Sequence, residues 1–566
     1  MAGSIKIAVY SNSDDALVAW APDDFIADCR GFRLERGRRG DQGEQIDIVE
    51  NRLGFAKDKP KSGDHRTSDV WPFQRFNWTD HAADAGNEVR YRVTAMVRRG
   101  AGTLTADVAS DWSPWVRLTP DVGGGFSCFF NRGLILSQFV ARYMRDKNIK
   151  VGKLKSELKA SADPSFRRFL QGDLGAKLFG ILSEVRAGTD VLHAALYELD
   201  DESLETAIIG LGSKLNLVLA NGSGKGKDGN AQARKRLNNA GIPTIDRLLK
   251  SKGLGHNKFL VRSDADGPKA VWTGSTNWST TGLCTQINNG LLIENREIAA
   301  HFLRQWGRLR DASPPMLDPA GFPPALVEAN DQPKHFEVDG ARVTVWFTRT
   351  SDGADMAALR ELIGSAQDSI LFLMFTPGPD GLHTIAAQRA NERTMYVRGV
   401  VSSLGATKAD GDKNVLDVQL VSSEHAFKPD RYSVVQPQGE GASLGPWIKE
   451  VTRSDFLSQV GHAIVHSKIL LIDLLGESPV VVTGSHNFSG AASTKNDENL
   501  VIVHGHKQLA RSYAAHVMSV YQHYRYRSYI REVESEGKTP WSQLDDDDQW
   551  LKIELKTKAH EIAFWT

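Results

Sequence analysis

The sequence predicts a multidomain protein: an N-terminal β-sandwich followed by two α/β/α halves packed with pseudo-twofold symmetry. Three observations lead there. One five-residue constellation occurs twice at the same internal spacing, as His256, Lys258, Gly274, Ser275 and Asn277 and again as His466, Lys468, Gly484, Ser485 and Asn487. Strand and helix patterns precede each copy in the same order, and ahead of both the chain alternates apolar and polar side chains in short runs. Repetition over so long a period fits a duplicated domain rather than a solenoid, whose units run about 20 to 50 residues. At 566 residues the chain has room for three or so domains of ordinary size.

Short strand-like runs separated by polar turns come first, at Leu17–Trp20 and Gly31–Arg36, followed by period-two alternation at Val89, Tyr91, Val93, Ala95 and Val97. Such runs, bounded by polar turns, read as half-buried strands, and several of them suit a sandwich. With Trp20 on an early strand and Asp111-Trp112-Ser113-Pro114-Trp115 before the last, residues 1–119 resemble a fibronectin type III domain. That resemblance implies a structural or docking module without chemistry of its own, whose partner the residues do not identify.

Gly123-Gly124-Gly125 marks the exit into the first half, residues 120–312. Apolar residues at three and four spacing predict helices over Leu134–Arg145 and Phe166–Glu184, followed by a buried strand Asp190–Leu196, a helix, and a strand Leu215–Ala220 before the first motif. Ser313–Pro333 holds six prolines, which places a Pro-rich linker at residues 313–338. The second half, residues 339–566, repeats the order: helix Met356–Ile363, strand Ser369–Phe375, a helix through Ala390, strand Tyr396–Val401, then the second motif. This alternation predicts a mixed, largely parallel sheet in each half. The long polar segment Leu404–Val460 is a candidate lid over the site. The acidic run Asp545–Asp548 reads as a solvated stretch with no role.

On a strand, alternation sends His466 and Lys468 to one face and Ser467 and Ile469 to the other, and the same holds for His256 and Lys258. A second strand, Ala270–Thr273 or Val480–Thr483, then presents Gly-Ser-x-Asn. Gly274 and Gly484 allow backbone to bend close to an anion. Ser275, Ser485, Asn277 and Asn487 are neutral donors for substrate, and Lys258 and Lys468 are point charges for phosphate oxygens. With the halves docked, two imidazoles flank one phosphorus. One attacks and the other protonates the departing alkoxide, so that a covalent phosphohistidine divides one hard displacement into two easier ones. Each proton transfer is worth roughly 10² to 10⁴ in rate, and the Lys and Asn groups stabilise charge on the equatorial oxygens. No metal and no cofactor are expected: HExxH and cysteine ligand sets do not occur, and Gly224-Lys225-Gly226-Lys227 lacks Walker spacing. His462/His466 and His504/His506 have conceivable ligand spacing only. Trp278 and Phe488, directly after the asparagines, are expected in the core.

These motifs resemble those of the phospholipase D superfamily, whose mark is a duplicated His-x-Lys-x4-Asp followed by Gly-Ser-x-Asn. Motif two matches throughout, Asp473 included, and continues into Asn496-Asp497-Glu498-Asn499. Motif one departs, with Ser263 at the aspartate position, Asp264 one place late, and Asn288 where equal spacing would put an acid like Glu498. The resemblance covers about residues 120–566. It implies that His256, His466, Lys258, Lys468, Asn277, Asn487, Glu498 and Asp473 form the catalytic set, with His256 as nucleophile, His466 as acid, and Glu498 reaching across to orient His256. The reverse assignment of the two histidines stays open. It also implies a metal-independent phosphoric diester hydrolase whose substrate is a phospholipid, hydrolysed or transferred to an alcohol. The alternatives are a nuclease of the same superfamily and an inactive scaffold that binds through the sandwich.

Lys plus Arg and Asp plus Glu both number 69, and the isoelectric point is near 7.3. That balance excludes a global field toward nucleic acid or an anionic membrane and suits a neutral or zwitterionic lipid better than a polyanion. Nucleic acid would need local cations, for which Lys150, Lys153, Lys155, Lys225, Lys227, Arg234 and Lys235 are candidates. Three scattered cysteines, Cys29, Cys128 and Cys284, fit a reducing compartment without a disulfide framework. No apolar run approaches the about 18 residues of a membrane span, and Met1–Tyr10 lacks a signal-peptide core. The expectation is a cytoplasmic protein, or one exported without a cleaved signal peptide, and a monomer, since both half-sites lie on one chain.

Overall fold

A computed structural model describes residues 4–40, 43–61, 64–83, 85–100, 102–133, 158, 164–223, 227–249, 253–314, 321–377, 381–390, 392, 394–402, 434–435, 465–535 and 543–566. The expected helix Leu134–Arg145, the candidate lid apart from residues 434–435, and Lys150, Lys153, Lys155, Lys225 and His462 lie outside these residues. Two compact units result. One comprises Met1–Thr119, Ala514–Ser519 and Glu532–Thr566, the other Pro120–Tyr513 and Val520–Arg531.

The first unit is sheet-rich. Strands β1 (Ile5–Ser11), β2 (Ala16–Pro22), β3 (Cys29–Gly40), β4 (Gly43–Ile48), β5 (Asn77–Asp80), β6 (Glu88–Val97), β7 (Thr105–Ala109) and β8 (Val116–Arg117) form a three-stranded sheet β1-β2-β5 and a five-stranded sheet β8-β6-β3-β4 in which β7 pairs with β6. Strands β2, β3 and β6 bring Val18, Trp20, Leu34, Tyr91 and Val93 into one buried cluster. That cluster also takes Trp550, Leu551 and Ile562 from the chain end. Residues 543–566, which the sequence boundaries put in the second half, therefore pack with the N-terminal sheets. Helices Gln549–Thr557 and Ala559–Trp565 carry apolar stripes whose receiving surface nothing local specifies.

The acidic run is not a free solvated stretch. Asp546 pairs with Arg98, Arg30 and Lys57, and Asp548 Oδ2 accepts from the Asp28 amide at 2.9 Å. The run ties the chain end to this unit, although Asp546 is half exposed and each of its ion pairs is worth little.

The second unit contains two eight-stranded sheets with one strand order. The first runs β9-β10-β16-β15-β14-β11-β12-β13, from β9 (Asp121–Gly123), β10 (Phe126–Phe130), β11 (Val191–Leu196), β12 (Leu215–Ala220), β13 (Thr244–Arg247), β14 (Lys258–Asp264), β15 (Gly267–Gly274) and β16 (Asn289–Ile293). The second runs β17-β18-β24-β23-β22-β19-β20-β21, from β17 (Lys334–Val338), β18 (Ala341–Thr348), β19 (Ser369–Met374), β20 (Tyr396–Val401), β21 (Val434–Val435), β22 (Ile469–Ile472), β23 (Val480–Gly484) and β24 (Glu498–His504). Both sheets are mixed, but they are not largely parallel. Among the described residues, only β11-β12-β13 and β19-β20-β21 pair in parallel, while the motif strands β14, β15 and β16 and their counterparts β22, β23 and β24 pair antiparallel. The two residues between β14 and β15, Ala265-Asp266, can only return the chain antiparallel, because a parallel crossover needs a dozen residues or more.

Helix Pro164–Ala187 buries Leu170, Leu174, Leu178, Ile181 and Val185 against Leu192, Leu217, Leu260 and Trp272. In the second sheet, helix Ala354–Ser365 buries Met356, Leu359 and Ile363 against Ile370, Phe372, Leu470 and Val482. Each such side chain contributes about 1.5–3 kcal/mol on burial. Trp278 and Phe488 sit in these two cores, and Cys29, Cys128 and Cys284 are free and buried. The expected linker, 313–338, is structured in its second part. Pro324–Asn330 is helical with Pro324 in its first turn, where a missing amide proton costs nothing, and Lys334–Val338 forms the sheet edge β17.

Candidate active site

Each motif histidine precedes a sheet strand, and backbone of the opposite half pins it there. The Asp497 amide donates to the Leu254 carbonyl at 2.7 Å, beside an isolated bridge between Gly255 and Asp497. The His466 amide donates to the Ile287 carbonyl at 2.9 Å, beside a bridge between Ile287 and Val465. Side chains repeat the exchange. Thr273 Oγ1 donates to Asn499 Oδ1 at 2.5 Å, and Asn289 Nδ2 donates to Thr483 Oγ1 at 2.7 Å. Buried polar groups paired this way order both halves around the motifs, since leaving one unpaired would cost about 1–3 kcal/mol.

The Gly-Ser-x-Asn turns follow from local sterics. Gly274 and Gly484 have φ of +149° and +144°, and a Cβ at either would strike the carbonyl oxygen of Asn289 or Asn499. That contact brings the next residues into register: Ser275 N donates to Asn289 O at 3.0 Å and Ser485 N to Asn499 O at 3.0 Å. Both serine hydroxyls are engaged inside the protein. Ser275 Oγ accepts from Asn289 N at 3.0 Å and donates to Asn288 Oδ1 at 2.7 Å, and Ser485 Oγ accepts from Asn499 N at 3.0 Å. Within the protein, Gly274, Gly484, Ser275 and Ser485 thus shape these two turns. Beyond the asparagines, Ser279 Oγ accepts from Gly282 N and Ser489 Oγ from Ala492 N, capping helices Thr280–Cys284 and Gly490–Lys495.

Both imidazoles are 4% exposed, and each is held by a residue of the other half. His256 Nδ1 lies 2.8 Å from Glu498 Oε2, and His466 Nδ1 lies 2.9 Å from Asn288 Oδ1. Asn288 Nδ2 donates to the Gly282 carbonyl at 2.9 Å, so its oxygen faces the ring. Both acceptors therefore select the Nδ1–H tautomer and leave the lone pair on Nε2. Lys258 Nζ donates to the His256 carbonyl at 2.7 Å and Lys468 Nζ to the His466 carbonyl at 2.5 Å.

Burial dominates the protonation states. It pushes His256 down to about 4, against the pull of Glu498. His466 falls well below its usual value through burial and then through the charges of Lys468, Lys258 and His256. Lys258 is pushed down to about 7, opposed by Glu498 and Glu198, and Lys468 is lowered well below the ordinary lysine value, first by burial and then by Lys258. For Glu498, burial acts upward, but His256 and Lys258 outweigh it and the carboxyl stays below its usual range. These four basic groups sense one another, so the duplicated motifs share one electrostatic environment.

Three residues that sequence reasoning missed belong to this environment. Tyr197 and Phe375 follow the equivalent strands β11 and β19, and their rings lie 4.8 Å from the rings of His256 and His466. The ammonium groups of Lys258 and Lys468 sit 5.0 and 5.1 Å over the same two rings, a cation–π placement. Glu198 follows Tyr197, and its Oε2 accepts from Asn277 Nδ2 at 2.7 Å. Comparing the residues just past the two equivalent strands would have found the aromatic pair, whereas nothing in the sequence marks Glu198.

Asp473 does not join the site. Its carboxylate accepts from the backbone amides of Gln367, Asp368 and Ser369 at 2.9, 2.9 and 3.2 Å and closes the turn after β22 onto the start of β19. The catalytic expectation for it is corrected accordingly. At motif one, Asp264 instead takes Arg296 at 2.9 Å. Asp473→Ala is expected to lower stability by about 1–3 kcal/mol and leave kcat within about twofold, which denaturant unfolding and rate measurements on one preparation check. A kcat loss without a stability loss would return Asp473 to the chemistry. Among the described residues, no group of three or more His, Cys, Asp or Glu could hold a metal ion.

Two mixed sheets of one strand order, meeting at paired His-x-Lys and Gly-Ser-x-Asn motifs, define the class to compare. Residues 359–520 match the family model described as cardiolipin synthase, PLD-like domain, so the chain carries a PLD-like domain. Among solved structures it is similar to phosphatidylserine synthase of Haemophilus influenzae Rd KW20, at 12% identity over 69% of this chain and 93% of that one, with a TM-score of 0.41. It is similar also to Nuc, a phospholipase D family member from Salmonella typhimurium, at 20% identity over 32% of this chain and 93% of that one, TM-score 0.21. A third is yeast tyrosyl-DNA phosphodiesterase, at 10% identity over 56% of this chain and 85% of that one, TM-score 0.28. No curated protein matches the chain. No helix among the described residues is long and apolar enough to cross a membrane.

Proposed function

We propose that the second unit is a phosphodiesterase of phospholipase D type, made of pseudo-twofold halves and acting on phospholipids through a phosphohistidine on His256. One observation carries this reading: each motif histidine is oriented through Nδ1 by the opposite half, one by a carboxylate and the other by an amide. The carboxylate makes the His256 ring the better base and stabilises positive charge that develops on it. Nε2 of His256 attacks phosphorus as the bond to the departing alkoxide breaks, and His466 Nε2–H gives that alkoxide its proton. Water then attacks phosphorus, passing a proton to His466, and the P–N electron pair returns to His256. His466 takes up its proton with the substrate, whose negative charge offsets the cost of burying an imidazolium. Lys258 and Lys468 stabilise the equatorial oxygens.

The balanced charge favours a lipid over a polyanion. Arg234, one of the local cations a nuclease would use, spends its guanidinium on Asp228, Asp246 and the carbonyls of Leu219 and Ala220. The N-terminal sheets would then be a fibronectin type III-like docking module. The test is one panel in EDTA: phosphatidylcholine vesicles, phosphatidylethanolamine vesicles, plasmid and single-stranded DNA. Headgroup release without nicking is expected. Nicking without release would make the protein a nuclease, and no turnover on any of the four would leave a scaffold.

A further inference from the structure

Glu198 has no acidic counterpart, since the residue after Phe375 in the second half is Thr376. Its carboxylate holds the Asn277 amide at 2.7 Å. It remains partly accessible, while Lys258 and Lys468 are at most 1% exposed. The charged and titratable groups that act on it are Lys258, Lys468 and Asp200, and it acts in turn on the Tyr197 phenol. Apart from Asp200, which the Thr280 amide holds at 3.1 Å, the groups of the pocket are two lysines, the carboxylates of Glu198 and Glu498, and two imidazoles, and when both lysines are protonated and His466 has taken up its proton with the substrate their formal charge is one positive.

We propose that Glu198 is a specificity-determining residue that sets the pocket's charge for a singly charged phosphate and so selects diesters over monoesters. This deepens the phosphodiesterase reading and rests on it. A diester carries one negative charge, whereas a monoester or inorganic phosphate carries close to two at neutral pH. In a buried site, like charges a few ångströms apart repel far more than in water. A dianion beside Glu198 lacks a compensating cation, whereas removing the Glu198 charge leaves a surplus of positive charge that suits the dianion. Hydrolysis of a diester yields a monoester, so the same carboxylate hastens release of product.

Calorimetric titration of the full chain tests this without turnover. Methyl phosphate and dimethyl phosphate, alike in size but differing in charge, are titrated at neutral pH into the wild type, Glu198→Gln and Glu198→Asp. Wild type and Glu198→Asp are expected to bind dimethyl phosphate at least as tightly as methyl phosphate, and Glu198→Gln to bind methyl phosphate roughly tenfold or more tighter than wild type does. A wild type that prefers methyl phosphate overturns the proposal even if Glu198→Gln fails to fold, as does a folded Glu198→Gln with unchanged preference. Binding of neither ligand to any of the three proteins overturns the phosphodiesterase reading and the proposal with it. Binding in the wrong order overturns the proposal alone.

Discussion

If His256 carries the phosphoryl group as proposed, replacing it with alanine is expected to cut phosphodiester turnover by about 10⁴ or more, because the covalent step would disappear rather than slow. His466→Gln should behave differently. With an aryl diester, whose leaving group needs no proton, the first step survives and the second stalls for want of a base to activate water. The expected observation is a burst of nitrophenolate matching the protein concentration, with a phosphoryl adduct on His256 found by mass spectrometry at alkaline pH. An adduct on residue 466 in His256→Ala would reverse the two roles, and full rate in both variants would remove the site altogether. On the proposed mechanism, kcat/KM in the wild type requires a neutral His256 and a charged Lys258, while the charge on Lys468 and the proton on His466, both lowered by burial, are likewise lost as pH rises. The first condition is met above about 4 and the second below about 7, so the profile should peak in the mildly acidic range and fall on both sides.

Asp497→Ala is expected to destabilise the second unit by about 3–5 kcal/mol, since it strands a buried cation. Arg247 and Asp497 are each 1% exposed. Arg247 Nη2 donates to Asp497 Oδ1 at 3.2 Å, and the guanidinium also reaches the carbonyls of Ala312 and Gly321 at 3.1 and 3.2 Å. With Asp497 gone, those carbonyls alone cannot balance the charge. Asp497 adjoins Glu498 and its amide holds the Leu254 carbonyl, so the variant should also lose activity through a displaced Glu498–His256 bond. Combining Asp497→Leu with Arg247→Met removes both charges and should recover much of the stability but not the rate. Urea unfolding reads the first effect, and a loss of under about 1 kcal/mol for Asp497→Ala would show that the pair holds nothing together.

The motif residues were legible because their spacing is local: two positions separate His256 from Lys258 and His466 from Lys468, and each lysine lies at or just before the start of its strand. The helices over Phe166–Glu184 and Met356–Ile363 were legible for a like reason, their apolar spacing matching one turn. Sheet direction was not, because the period of a buried strand is the same whether its neighbour runs parallel or antiparallel. Asp473 shows the limit of motif matching, since a carboxylate at the family position turned out to serve three backbone amides.

Spacing along the chain thus pointed to the two repeated motifs and to most of the strands beside them. The family resemblance anticipated that Glu498 reaches His256, across 242 residues, but only the folded chain decided that Asn288 meets His466 across 178, that Glu198 turns toward Asn277, and that the last helices cover the first sheets. Those pairings arise when large apolar surfaces find one another and the polar groups trapped between them must all be satisfied. That is a condition on the whole packed molecule, and no stretch of sequence expresses it alone.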